Sequence, residues 1–209
     1  MASAAIDSFE MLDDLVSIRQ PPANRVGFHT GDAEHHLTEG AVMVAFVLHL
    51  FRTVPDLKQV CIHPDGEHGK IFDFMGWLGK QGFGKMSSMG TTSYGGLYAD
   101  PQGRTILLNP KSGRQDVVAT IGDSSYVAEA KGGVINTRHS GKTSQLRKGL
   151  CEAVGMLMQT PLVAGQRQFA VVPLTQVTEK LAGKMLARTK AAGIEVALVD
   201  GRGNVLDVT

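Results

Sequence analysis

The stretch Gln115 to Lys131, QDVVATIGDSSYVAEAK, decides how this chain folds. Val117, Val118, Ile121, Tyr126 and Val127 favour strand, and Ile121-Gly122-Asp123-Ser124-Ser125 favours a tight turn. The segment therefore predicts two short strands joined as a hairpin. Three charged residues interrupt otherwise apolar strand: Asp116 on the first, Glu129 and Lys131 on the second. Unpaired charge in a sheet core is costly, so the three side chains need a reason to be there. They are either a metal-dependent catalytic site or a structural ion pair.

Parity narrows the geometry. If the hairpin closes through a two-residue loop, facing positions sum to an odd number, as when 116 faces 131 and 118 faces 129. Facing residues share one side of a sheet, and so do residues two apart on one strand. Asp116, Glu129 and Lys131 are then expected on one side, with Ala128 and Ala130 on the other. A three-residue loop without a bulge breaks the arrangement.

Two carboxylates on one side offer hard oxygen ligands, and Mg²⁺ takes one or two carboxylates and completes its octahedron with water and phosphate oxygens. A lysine beside them can position attacking water or offset charge on phosphate. That combination suits phosphodiester hydrolysis. A cross-strand Asp116–Lys131 salt bridge with Glu129 in solvent uses the same residues, and both readings stand at this point.

The flanks add to the pattern. Leu146, Leu150, Val154 and Leu157 follow helical spacing, which predicts an amphipathic helix over 144–158. Arg147 and Lys148 fall in its first turn, opposed to the helix dipole, which fits a surface that meets an anion. Upstream, Leu37 to Phe51 (LTEGAVMVAFVLHLF) reads as a buried helix with Glu39 near its start.

A helix carrying Glu39, a strand aspartate at 116, the E-x-K strand Glu129-Ala130-Lys131 and a helix opening with Gln145 together resemble the restriction-endonuclease-like, PD-(D/E)XK phosphodiesterase superfamily. The matching segments run from Glu39 to Leu157. The proline of the motif is absent, since Gln115 precedes Asp116. The resemblance implies an α/β fold with a restriction-endonuclease-like core: a mixed central sheet flanked by helices. It implies Asp116 and Glu129 as ligands of Mg²⁺ or Mn²⁺, with the Ala130 carbonyl as a further ligand and Lys131 as the catalytic lysine. Glu39 matches a helical acid that some branches add, implied as a ligand of a second metal or a residue that orients one, and Gln145 a polar helix residue placed near metal and water.

With 209 residues, 43% of them hydrophobic, the chain can bury a sizeable single core. Cys61 and Cys151 are too few for a disulfide scaffold or a four-ligand zinc site, and read as buried free thiols in a reducing cytoplasm. The opening MASAAIDSFEMLDDLVSIR is acidic and does not read as a secretory signal. The apolar run 40–51 is too short to span a bilayer and contains His49. Expected partners therefore exclude a membrane.

Charge is unevenly distributed. Residues 1–103 hold seven Lys/Arg against twelve Asp/Glu, and residues 104–148 hold eight Lys/Arg against three Asp/Glu. The basic excess surrounds the proposed site and would attract a polyanion by counterion release. Its expected nucleic-acid-binding residues are Lys111, Arg114, Arg138, His139, Lys142, Thr143, Arg147 and Lys148. A solvated basic surface balancing an acidic N-terminal region is the plainer explanation.

The remaining pattern predicts helices over 6–19, 32–53, 70–81, 144–158 and 175–192. Strands are expected at 58–62, 94–99, 104–109, 115–121, 125–131, 167–173, 194–199 and 204–208. A Gly/Ser/Met-rich connection fills 82–95. No linker divides the chain, so residues 1–209 read as one domain, with 1–30 an accessory or dimerising helical arm.

Other motifs carry less. Ser140-Gly141-Lys142-Thr143-Ser144 resembles the end of a nucleotide-binding loop, but Asn136 stands where its first glycine belongs. Asp32-Ala33-Glu34-His35-His36 and His63-Pro64-Asp65-Gly66-Glu67-His68 lack the spacing of a zinc hydrolase. Together the readings point to a metal-dependent nuclease acting on DNA in the cytoplasm. The alternative is an inactive nucleic-acid- or protein-binding module on the same fold.

Overall fold

The computed structural model describes residues 15–20, 33–64, 68–111, 115–137 and 139–208. Along the chain the elements are β1 (Val16–Arg19), β2 (Glu34–Leu37), α1 (Glu39–Thr53), β3 (Gln59–Ile62), α2 (His68–Ile71) and α3 (Phe74–Lys80). Then follow β4 (Gly84–Ser88), β5 (Gly96–Ala99), β6 (Thr105–Leu108), β7 (Val117–Ile121), β8 (Ser124–Ala130) and β9 (Gly133–Val134). The last are α4 (Ser140–Met158), β10 (Gln166–Pro173), α5 (Gln176–Ala191), β11 (Ile194–Val199) and β12 (Val205–Val208).

The β7–β8 hairpin closes through Gly122 and Asp123, with Ile121 opposite Ser124 and Val117 opposite Ala128. Gly122 has φ 54°, the left-handed conformation that a two-residue turn with glycine first demands. Each partner lies two residues from the expected one, so Val118 faces Val127 rather than Glu129. A shift of two preserves parity, and the assignment of side chains to sheet faces survives it.

The hairpin sits inside a nine-stranded mixed sheet ordered β12-β11-β10-β8-β7-β3-β6-β5-β4. β8, β10 and β11 run parallel, as strands joined by the crossover helices α4 and α5 must. Alternation divides the core. Ala128 and Ala130 of β8 join Phe169 and Val171 under α1, while Val127 joins Ala170 and Val172 under α4 and α5. α1 is apolar all round, and every residue from Ala41 to Leu48 is buried. The result is a mixed α/β molecule with a large mixed sheet flanked by helices. Among the described residues no helix is long and apolar enough to cross a membrane.

Several expected elements need correction. Residues 16–19 form β1, paired antiparallel with β2, rather than the end of a helix, and residues 1–14 lie outside the described ones. The helix expected over 32–53 begins only at Glu39. Residues 34–37 pair with β1 and β9, and Thr38 caps α1 by accepting a hydrogen bond from the Ala41 N–H at 3.2 Å. The helix expected over 70–81 is two pieces, the second capped by Asp73, whose Oδ1 accepts from the Gly76 N–H at 2.9 Å. The connection 82–95 contains β4, an edge strand with a bulge between Lys85 and Ser87. β9 was not expected, and α4 begins at Ser140 rather than 144.

Candidate active site

Glu129 is the most unusual side chain in the sheet. It is 2% exposed, yet its Oε2 has no hydrogen-bond partner. Burial pushes its carboxyl up to about 8, and the neighbouring Asp116 carboxylate adds to the rise while the Lys131 ammonium opposes it. Asp116 stands just before β7. Its Oδ2 accepts the Ala130 N–H at 2.8 Å, and its own N–H donates to the Ala128 carbonyl at 3.1 Å. The aspartate side chain thus takes over an acceptor role that backbone would fill in a regular ladder. Ala130 itself is buried with its methyl group on the α1 side of the sheet.

Lys131 leaves β8 and meets Glu39, with Nζ 3.3 Å from Oε1. This is the pairing the structure makes, in place of an Asp116–Lys131 bridge as the sole partner. Burial pulls the Lys131 ammonium down, but the carboxylates of Glu39 and Asp116 outweigh it, and the pKa ends above the ordinary lysine value. Lys131 is therefore a fixed cation. Gly132 makes the contact feasible. A Cβ there would lie 2.5 Å from the Glu39 nitrogen and 2.7 Å from the Leu37 oxygen. Only a residue without Cβ lets the end of β8 pass so close to the start of α1.

α4 covers the other flank. A Cβ on Gly149 would lie 3.3 Å from Lys131 Cβ. Residues 145, 149, 152 and 156 recur at helical spacing, so Gln145, Glu152 and Met156 share that edge of α4. Gln145 is exposed one turn before Gly149, and among the described residues no hydrogen bond joins it to Asp116, Glu129 or Lys131. Glu152 adds its charge to those that raise the Lys131 pKa. Glu152 did not figure in the sequence reading, and His63 did so only within a histidine group that lacks zinc-hydrolase spacing. His63 comes opposite Asp116 because the β3–β7 register continues past Ile62, and its N–H donates to the Asp116 carbonyl at 2.8 Å. Its ring lies 3.2 Å from the Lys111 carbonyl and 3.2 Å from Cys61 Sγ. A carbonyl can only accept, so Nδ1 carries the proton and the Cys61 thiol donates to Nε2. Burial pushes that thiol up to about 11, which makes Cys61 inert as a nucleophile.

The residues expected to bind nucleic acid are spread over several roles. Arg114 and Arg138 lie outside the described residues. His139 caps α4, its Nδ1 accepting from the Gly141 N–H at 3.1 Å. Thr143 bonds within the helix, its hydroxyl donating to the Ser140 carbonyl at 2.8 Å. Lys142 approaches Glu34 at 3.7 Å. Lys111, Arg147 and Lys148 are exposed. Arg147 also lines a groove of about 400 Å³ with Lys180 and Lys184 of α5. Among the described residues none of these three cations makes an ion pair. The two α5 lysines carried no motif, and only the packing of α5 against α4 brings them to Arg147.

Among the described residues no group of three or more His, Cys, Asp or Glu is gathered to hold a metal ion, and Glu39 is paired with Lys131. Asp116 and Glu129 nevertheless fit a divalent cation. An ionised Glu129 would repel the adjacent Asp116 carboxylate, so the pair holds a proton between them, and a divalent cation could replace that proton and meet the Glu129 oxygen that has no donor. No protein-family model, curated protein or solved structure matches the chain.

Proposed function

We propose that this protein is a metal-dependent nuclease with a restriction-endonuclease-like core, hydrolysing phosphodiester bonds in DNA. The observation that carries the reading is Glu129: a buried carboxyl with an orphan oxygen, set against Asp116 and beside a fixed ammonium. The succession of α1, the β7–β8 hairpin, the crossover α4 and parallel β10 supports the fold assignment.

Asp116 and Glu129, with the Ala130 carbonyl, would hold Mg²⁺ or Mn²⁺, which when bound polarises a phosphate and lowers the pKa of water. Lys131 stays protonated, so it takes no proton from water. It orients the attacking oxygen and offsets charge on the phosphate. Glu39 keeps the ammonium in place through the 3.3 Å contact. Gln145, on the same edge of α4, offers an amide to water or to a phosphate oxygen. The unpaired cations of the α4–α5 groove suit the sugar–phosphate backbone.

Purified protein with Mg²⁺ or Mn²⁺ should cleave at least one of duplex, nicked, branched or single-stranded DNA, and EDTA should stop it. Lys131→Ala should lower the rate by about 10²–10³-fold, the usual cost of removing one group that stabilises transition-state charge. Asp116→Ala should abolish it. Absence of cleavage on all four substrates, with either ion, overturns the reading. The same groove also favours a second reading, a nucleic-acid-binding module without turnover. That module would bind DNA in EDTA and keep its affinity in Asp116→Ala.

A further inference from the structure

Glu129 has two neighbourhoods. One side meets Asp116 and Lys131, and the other forms a wall of a separate cleft of about 550 Å³. That volume lies within the range of small-molecule sites, roughly 300–1,000 Å³. The cleft opens between the C-terminal end of α4 and the strands β8 and β10. Among the described residues that line it there is no lysine or arginine, and the one ionisable group is Glu129.

Its chemistry suits a flat, neutral, hydrogen-bonding group. Gln115, Gln159 and Gln166 supply three carboxamides, of which Gln159 Nε2 already donates to the Gly155 carbonyl and Gln166 Oε1 accepts from Gln168, leaving Gln159 Oε1 and Gln166 Nε2 for a ligand. Gln115 reaches across to the Thr160 hydroxyl at 3.4 Å, a long bond that is readily exchanged. The rim is apolar and exposed: Met156 is 38% and Val163 56% exposed. A thioether and a branched aliphatic group are good surfaces for an aromatic face.

We infer that this cleft receives an unpaired nucleobase of the DNA strand whose phosphate lies at Asp116, Glu129 and Lys131. The inference rests on the nuclease reading and adds the form of its substrate. A base inside a duplex is stacked and cannot enter a cleft lined by carboxamides, so the preferred DNA is single-stranded or locally unpaired next to the scissile phosphate. The carboxamides read the edge of the base, and Met156 and Val163 cover its face. Glu129 is the wall shared by base site and phosphate site, which are the neighbouring parts of one nucleotide.

The test uses three fluorescent DNAs: a paired duplex, the same duplex with one unpaired nucleotide, and that DNA with the unpaired nucleotide abasic. Binding is followed by anisotropy in EDTA, and cleavage of the same DNAs is followed separately in Mn²⁺. Wild-type protein should bind the unpaired base tighter than the abasic DNA by on the order of tenfold, the scale of one stacked base. Val163→Trp, which fills the cleft, and Gln159→Ala should bring that ratio towards one, with thermal melts confirming that both fold. Equal affinity for base-bearing and abasic DNA overturns the inference, as does an undiminished ratio in both variants. Cleavage of all three DNAs without discrimination leaves the nuclease reading standing and removes the base site. Neither binding nor cleavage of any DNA removes both.

Discussion

In protein free of divalent metal, Glu129 should make stability fall as pH rises. In the unfolded chain its carboxyl ionises near 4.5, whereas in the fold it keeps its proton up to about 8. The folded state thus binds the proton more tightly. Its stabilising contribution is complete below the unfolded value and is lost as pH rises through the folded one. Glu129→Gln keeps the shape and removes the titration. Measured in EDTA, the wild-type melting temperature should drop relative to Glu129→Gln by on the order of 5 °C from about pH 5 to about pH 9. Parallel melting curves across that range would show that the buried proton is not held at this residue. The residues behind this prediction were legible in the sequence for a simple reason. Strand period and a short glycine turn fix which side chains share a face, and charge in apolar strand is conspicuous. His63 and Glu152 were not legible, because one arrives through the register of a distant strand and the other through the rotation of a packed helix.

Between elements, the site depends on two glycines that do different work. Gly132 lets the end of β8 run against main-chain atoms of Leu37, Thr38 and Glu39. Main chain cannot swing aside as a side chain can, so Gly132→Ala must push β8 and α1 apart. It should cost about 1–3 kcal/mol, the usual penalty of overpacking, and it should separate Lys131 from Glu39. Gly149 meets the stem of Lys131, with an added Cβ 3.3 Å from Lys131 Cβ and 3.8 Å from Cγ, so a shift of a few tenths of an ångström suffices where Gly132 would need far more. Gly149→Ala regains about 0.5–1 kcal/mol of helix propensity and should leave the melting temperature near wild type while slowing cleavage through a displaced Lys131. Comparing melts and rates for the two variants checks both statements. Equal losses of stability would mean that α4 lies as rigidly on Lys131 as α1 lies on Gly132. The junction at Gly132 explains what periodicity misread. Glu34-His35-His36-Leu37 has little strand preference and becomes β2 only because β1 and β9 supply its ladder. The Gly/Ser-rich β4 is likewise a strand by pairing, at the edge where weak formers are tolerated.

Across the whole molecule, charge counted along the chain and charge arranged in space disagree. Residues 104–148 carry eight Lys/Arg against three Asp/Glu, but Lys131 is committed to Glu39 and Lys142 leans on Glu34. The α5 lysines belong to a stretch, 149–209, with six Lys/Arg against five Asp/Glu, where a running count hides them. Folding places Lys180 and Lys184 across a groove from Arg147, and among the described residues none of the three is neutralised by a carboxylate. If the DNA backbone lies in that groove, each cation that meets a phosphate releases about one counterion. Lys180→Ala combined with Lys184→Ala should then reduce the slope of log affinity against log salt by about two. The rate at saturating DNA should change far less, because neither lysine touches the carboxylates. Titrations at four salt concentrations, with Lys190→Ala as an exposed α5 control outside the groove, measure that slope. An unchanged slope in the double variant, beside intact cleavage, would move the backbone path off α5 and onto Lys111 and Lys148.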